Sequence, residues 1–91
     1  MTGCRHFVIS GRVQGVYFRQ STLEIAQQLD LTGWVRNLPD GQVEVMAQGS
    51  IDSLAELEQW LHVGPTMAKV SAVISDIRPE DPALSMFQID V

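Results

Sequence analysis

The chain has 91 residues, enough for one domain in which roughly 60% of the unfolded surface is buried on folding. Eleven acidic residues against six basic ones leave a net charge of −5, which argues against a nucleic-acid or anionic-membrane surface, since both need clustered Lys and Arg. No apolar run nears the roughly 20 residues that span a bilayer, and the N-terminus carries no signal-peptide pattern. The expectation is a cytoplasmic monomer with a single domain over 1–91 and neither nucleic acid nor membrane as a partner. Cys4 has no second cysteine to pair with, so it reads as a small strand-end hydrophobe.

In chain order, Arg5 to Val13 reads as a strand with Phe7, Ile9 and Val13 on one face. A connector with two glycines, Gly11 and Gly15, leads from it to a helix over Phe18 to Leu29, where Phe18, Thr22, Ile25, Ala26 and Leu29 fall at helical spacing. Ser21 and Glu24 match a capping box that would start this helix later, but the stripe already includes Phe18. Thr32 to Asn37 and Gln42 to Gln48 form a hairpin about the turn Leu38-Pro39-Asp40-Gly41. Ser50 is a good N-cap for a second helix, Ile51 to about Val63, with Leu54, Leu57 and Leu61 buried and Gly64-Pro65 ending it. Lys69 to Arg78 is a further strand whose Val70, Val73 and Ile77 do not alternate cleanly, which predicts a bulge or twist. After a loop over Pro79 to Ser85, Phe87, Ile89 and Val91 alternate in a last strand. The order β-α-β-β-α-β with a short extra strand predicts an α+β, ferredoxin-like sandwich: an antiparallel sheet with two helices on one face.

One segment carries chemistry. Gly11-Arg12-Val13-Gln14-Gly15-Val16-Tyr17-Phe18-Arg19 joins strand to helix through glycines that let successive backbone N–H groups turn into one concavity. The helix N-terminus adds free N–H groups and partial positive charge, and Arg19 adds a planar fork of donors suited to phosphate. Because four of the six cations (Arg5, Arg12, Arg19 and Arg36) lie in the first 36 residues, an anion belongs to this half. No Gly-Lys-Ser/Thr follows, so this is not a Walker A loop. Asn37 stands at the end of the first hairpin strand, where its amide either orients a water or simply satisfies the turn backbone. His6 and His62 have no nucleophile near them in sequence, and no cluster has metal-ligand spacing.

Taken together, residues 11–19 and the pattern Gly33-Trp34-Val35-x-Asn37-x-x-Asp40-Gly41-x-Val43-Glu44 closely resemble the acylphosphatase family. The resemblance extends to Gly64-Pro65-x-x-Ala68-x-Val70 and to Phe87-x-Ile89, and so covers essentially the whole chain. It implies a cofactor-free and metal-free hydrolase of the carboxyl-phosphate bond of small acyl phosphates, with inorganic phosphate as product or inhibitor. By the same match Arg19 falls on the family's phosphate-binding arginine, Asn37 on its water-orienting asparagine, and Gly11, Arg12, Val13, Gln14, Gly15, Val16, Tyr17 and Phe18 on its phosphate-binding loop. Two other readings compete. One is an anion-binding module without turnover; the other is an RNA-binding sandwich, which would need exposed sheet aromatics and basic charge.

Overall fold

A computed structural model of the chain describes residues 1–90 and contains seven elements. They are β1 (Thr2–Arg12), α1 (Phe18–Gln28), β2 (Thr32–Asn37), β3 (Val43–Ser50), α2 (Ile51–Leu61), β4 (Lys69–Arg78) and β5 (Phe87–Ile89). The strands form one sheet in the order β4-β1-β3-β2-β5. Side chains of one parity, among them Phe7, Ile9, Val35, Val43, Val45 and Ala47, point to the face that the helices cover. The register sets Phe7 opposite Val45 and Val45 opposite Val35, so a continuous apolar row crosses the three central strands. Leu54, Leu57 and Leu61 of α2 close over it, as do Phe18 and Ala26 of α1. Each of these strand and helix side chains is 2% exposed or less, and burying a large aliphatic or aromatic side chain is worth roughly 1.5–3 kcal/mol.

Local chemistry fixes the helix ends. The α1 helix begins at Phe18, which is buried against Trp60 at a ring-centroid distance of 5.6 Å, and not after Ser21. Glu24 takes a hydrogen bond from Gln20 Nε2 and does not reach back to a cap. At the start of α2, Ser50 Oγ accepts from the Ser53 N–H at 3.1 Å, as expected of an N-cap serine. The helix ends at Leu61, two residues before the expected Val63, and Gly64 takes a positive φ of 70° next to Phe18.

One expectation needs correction. The sheet is mixed, because β5 runs parallel to β2 while the other three pairings are antiparallel. The cause is connectivity. The chain leaves β4 at one edge, crosses the end of the sheet through 79–86, and returns along the opposite edge, antiparallel to β4 and hence in the direction of β2. The bulge expected in β4 is present: Ser10 pairs with Ala72 and Gly11 with Val70, so Ser71 is the extra residue and the alternation of β4 changes parity there. Gly11 has φ 121°, and a Cβ there would sit 2.2 Å from the Lys69 carbonyl oxygen. Only glycine fits. Val91, assigned above to the last strand, lies outside the described residues.

Candidate active site

Between β1 and α1 the backbone alternates in hand. Gly15 (φ 73°) and Tyr17 (φ 67°) are left-handed and Val16 between them is not. Alternation of this kind turns consecutive N–H groups toward one side and makes an anion-binding concavity. Tyr17 is also the N-cap residue of α1, and its side chain makes no cap hydrogen bond. The first N–H groups of α1 therefore keep their donor capacity, and no acidic residue occupies the first turn to compete with an incoming anion. A tyrosine in this backbone region is uncommon and costs about 1 kcal/mol or more, which the surrounding packing must over-determine. Its neighbours supply that packing, since Val16 and Phe18 on either side are buried while Tyr17 itself is 80% exposed.

The loop opens onto a cavity of about 390 Å³ lined by Val13, Gly15, Tyr17, Phe18, Arg19, Gln20, Asn37 and Ile89. Arg19 forms no ion pair among the described residues, whereas Arg5, Arg36 and Arg78 each face a carboxylate. Asn37 enters the cavity from the last rung of the β2–β3 ladder, where it pairs with Val43. Its Oδ1 is buried and has no hydrogen-bond partner. The turn beyond it is closed without its help: Asp40 Oδ1 accepts from the Gln42 N–H at 3.0 Å, and Leu38 N–H donates to the Gln42 carbonyl at 2.8 Å. Of the two readings the sequence allowed for Asn37, turn satisfaction is the one this geometry rejects.

Six of the ten residues singled out by sequence (Val13, Gly15, Tyr17, Phe18, Arg19 and Asn37) meet at the cavity wall. Gly11, Arg12, Gln14 and Val16 do not line it. Gly11 is required by the β1–β4 pairing, and Val16 is a core residue at 9% exposure. Sequence reasoning did not single out Gln20 or Ile89. Gln20 lies one residue past Arg19 in the exposed first turn, a position with no chemical signature, and Ile89 arrives only through the long-range pairing of β5 with β2.

The family model described as Acylphosphatase matches residues 5–89. The chain belongs to the acylphosphatase family. It is 48% identical to the acylphosphatase of Nitrosococcus oceani over 98% of this chain and 99% of that one. Among solved structures it is similar to an acylphosphatase from Coxiella burnetii, with TM-score 0.89 and 43% identity over 98% of this chain and 93% of that one. An acylphosphatase from Bacillus subtilis superposes with TM-score 0.94 and 30% identity over the full length of both chains.

His6, Glu44 and Cys4 lie on the other face of the sheet of this acylphosphatase fold. His6 points away from the helices; its Nε2 pairs with Glu44 Oε2 at 2.7 Å, and its Nδ1 is buried without a partner. Glu44 also receives Arg36, which stacks 5.1 Å above the Trp34 ring. Burial alone would raise the Glu44 pKa, but the hydrogen bonds from His6 and Arg36 outweigh it and hold the carboxyl below its ordinary value. Cys4 sits with its Sγ 3.6 Å from Met46 Sδ. Burial, and then the charges of Glu80 and Asp81, push its thiol up, so it is a poor nucleophile. Among the described residues, no carboxylate, imidazole or thiol lines the cavity that holds Arg19 and Asn37.

Proposed function

We propose that this chain hydrolyses the carboxyl-phosphate bond of small acyl phosphates, with Arg19 and the N–H groups of the loop from Gly11 to Tyr17 binding the phosphoryl group and Asn37 orienting the attacking water. The observation that carries the proposal is Asn37 Oδ1, buried without a hydrogen-bond partner among the described residues, on the same cavity as Arg19, which forms no ion pair among them, and an uncapped helix N-terminus. A pure anion binder needs the last two; it has no use for a buried acceptor. An acceptor beside a phosphoryl group holds a water by one of its hydrogens and aims the lone pair of that water at phosphorus.

The chemistry demands little more. The leaving group is a carboxylate, which departs at neutral pH without a proton, so no general acid is needed. The phosphoryl transition state is loose, and catalysis rests on charge neutralisation and in-line placement. Arg19 is suited to the first because its planar fork grips two phosphate oxygens and never loses its charge. No protein base lines the cavity among the described residues; in this scheme the water's proton passes to an oxygen of the bound phosphate. The same reading takes the chain as a cytoplasmic monomer folded as a single domain over 1–91.

The test is steady-state turnover of a simple acyl phosphate by purified protein in EDTA, with inorganic phosphate as competitor. Hydrolysis is expected to persist in EDTA, and phosphate to inhibit competitively. Hydrogen bonds to charged groups are worth roughly 1.5–3 kcal/mol, so Arg19→Ala should weaken phosphate inhibition about tenfold to 100-fold and lower kcat as well. Wild-type activity no higher than that of Arg19→Ala would refute turnover and leave a binding module.

A further inference from the structure

The two halves of the proposed site come from different parts of the chain, Arg19 from the loop–helix junction and Asn37 from a hairpin strand. Their relative position has to be set by something other than a direct bond, since none joins them among the described residues. We infer that the side chain of Gln14 is a positioning residue, which sets Asn37 against the phosphate loop by clamping the hairpin turn. Sequence analysis placed Gln14 in the loop for its backbone alone. Its side chain does something separate.

Gln14 does not line the cavity. Its Nε2 donates to the Leu38 carbonyl oxygen at 2.8 Å and to the Gln42 carbonyl oxygen at 2.8 Å, so both of its N–H bonds are used. Those two carbonyls belong to the residues that open and close the turn. Leu38, the residue directly after Asn37, donates its own N–H to the Gln42 carbonyl at 2.8 Å. One amide thereby grips the turn on both sides of its closing hydrogen bond, one residue from the group that aims the water. A second strut runs parallel to it: Gln42 Nε2 donates to Ser10 Oγ at 2.7 Å, just before the β1–β4 register shift at Gly11. The hairpin tip is tied to the chain on entry to the phosphate loop and again at the loop's middle.

Hairpin tips move most where nothing holds them. A displacement near 1 Å at a catalytic group is enough to cost about 100-fold in rate. Gln14 suits the clamp because a primary amide offers two donors in one plane, matched to two carbonyl acceptors with no charge to bury. Neither a carboxylate nor an aliphatic chain of the same length does this.

The inference rests on the proposed water-orienting role of Asn37, and the experiment separates the two. Gln14→Met keeps length and volume and removes both donors. It is expected to lower kcat about tenfold to 100-fold while the inhibition constant for inorganic phosphate changes less than about twofold, because Arg19 and the loop N–H groups remain. In an Asn37→Ala background the same substitution should cost nothing further, since a misplaced group that is already absent cannot be misplaced again. Gln14→Leu, which also lacks both donors and adds no charge beside the loop, should reproduce both results and carries the test if Gln14→Met does not fold. Unchanged kcat in the single variants overturns the inference. Two other results overturn it as well: a multiplicative loss in the Asn37→Ala background, and a phosphate inhibition constant that rises in step with the loss of kcat. Asn37→Ala with wild-type turnover would instead overturn the role of Asn37 itself.

Discussion

Replacing Asn37 by alanine should leave stability nearly unchanged while turnover collapses. Asn37 Oδ1 is buried with no hydrogen-bond partner in the protein among the described residues, so truncation breaks no internal hydrogen bond of that oxygen. The turn is held by Gln14, Asp40 and the Leu38 N–H, all of which survive the substitution. Alanine at the last rung of β2 removes little packing. Tm should stay within about 4–8 °C of wild type, the shift that about 1 kcal/mol makes in a domain of this size. Turnover should fall about 10²–10³-fold, roughly 2.7–4 kcal/mol of transition-state stabilisation, the usual cost of losing one preorganised group at a reacting phosphoryl or acyl centre. Thermal melting by circular dichroism and steady-state hydrolysis of an acyl phosphate on the same preparation give both numbers. A lower Tm with kcat intact would refute the reasoning, because Asn37 would then be a turn residue and no part of the chemistry.

Other expectations follow from the sheet. Gly33 holds φ 139° with the Met46 carbonyl oxygen 1.9 Å from where a Cβ would stand, so Gly33→Ala should destabilise the fold by about 3 kcal/mol or more, read as the shift in urea midpoint. A midpoint within error of wild type would mean that β2 and β3 separate without cost. Glu44 has a folded pKa held below its unfolded value, so its contribution to stability is present above the unfolded pKa and is lost as pH falls through the folded one. Urea midpoints should therefore drop from about pH 5 downward, and Glu44→Gln should show a shallower decline; parallel curves would exclude the His6–Glu44–Arg36 cluster as a source of acid sensitivity.

Much of this was legible because the elements announce themselves locally. The boundaries of β2 and β4 agree with alternation and turn chemistry at Thr32–Asn37 and Lys69–Arg78. The start of α1 was readable from the apolar stripe, since Phe18 is needed in the core, and Ser50 advertised its cap. What failed to show is what depends on partners distant in sequence. The first strand starts at Thr2, earlier than Arg5, because Thr2 and Gly3 pair with Ser50 and Gly49 at the far end of β3. The parallel edge of β5 follows from the path of the chain across the sheet and not from any residue in 87–89. In the site, Arg19 and Asn37 were found because their chemistry is conspicuous. The side chain of Gln14 was not, since a loop glutamine has no local signature and its two acceptors lie 24 and 28 residues away.

Among the described residues the cavity wall contains no carboxylate, imidazole or thiol, and the anion receptor proposed for it is one guanidinium with peptide N–H groups. Neither component gains or loses a proton near neutrality, and neither is open to oxidation. An oxidant or a swing in cellular acidity has no handle on this receptor. Any response of substrate capture to acidity around neutral pH would then originate in the ligand, whose own phosphate titrates in that range, as phosphomonoesters do near 6.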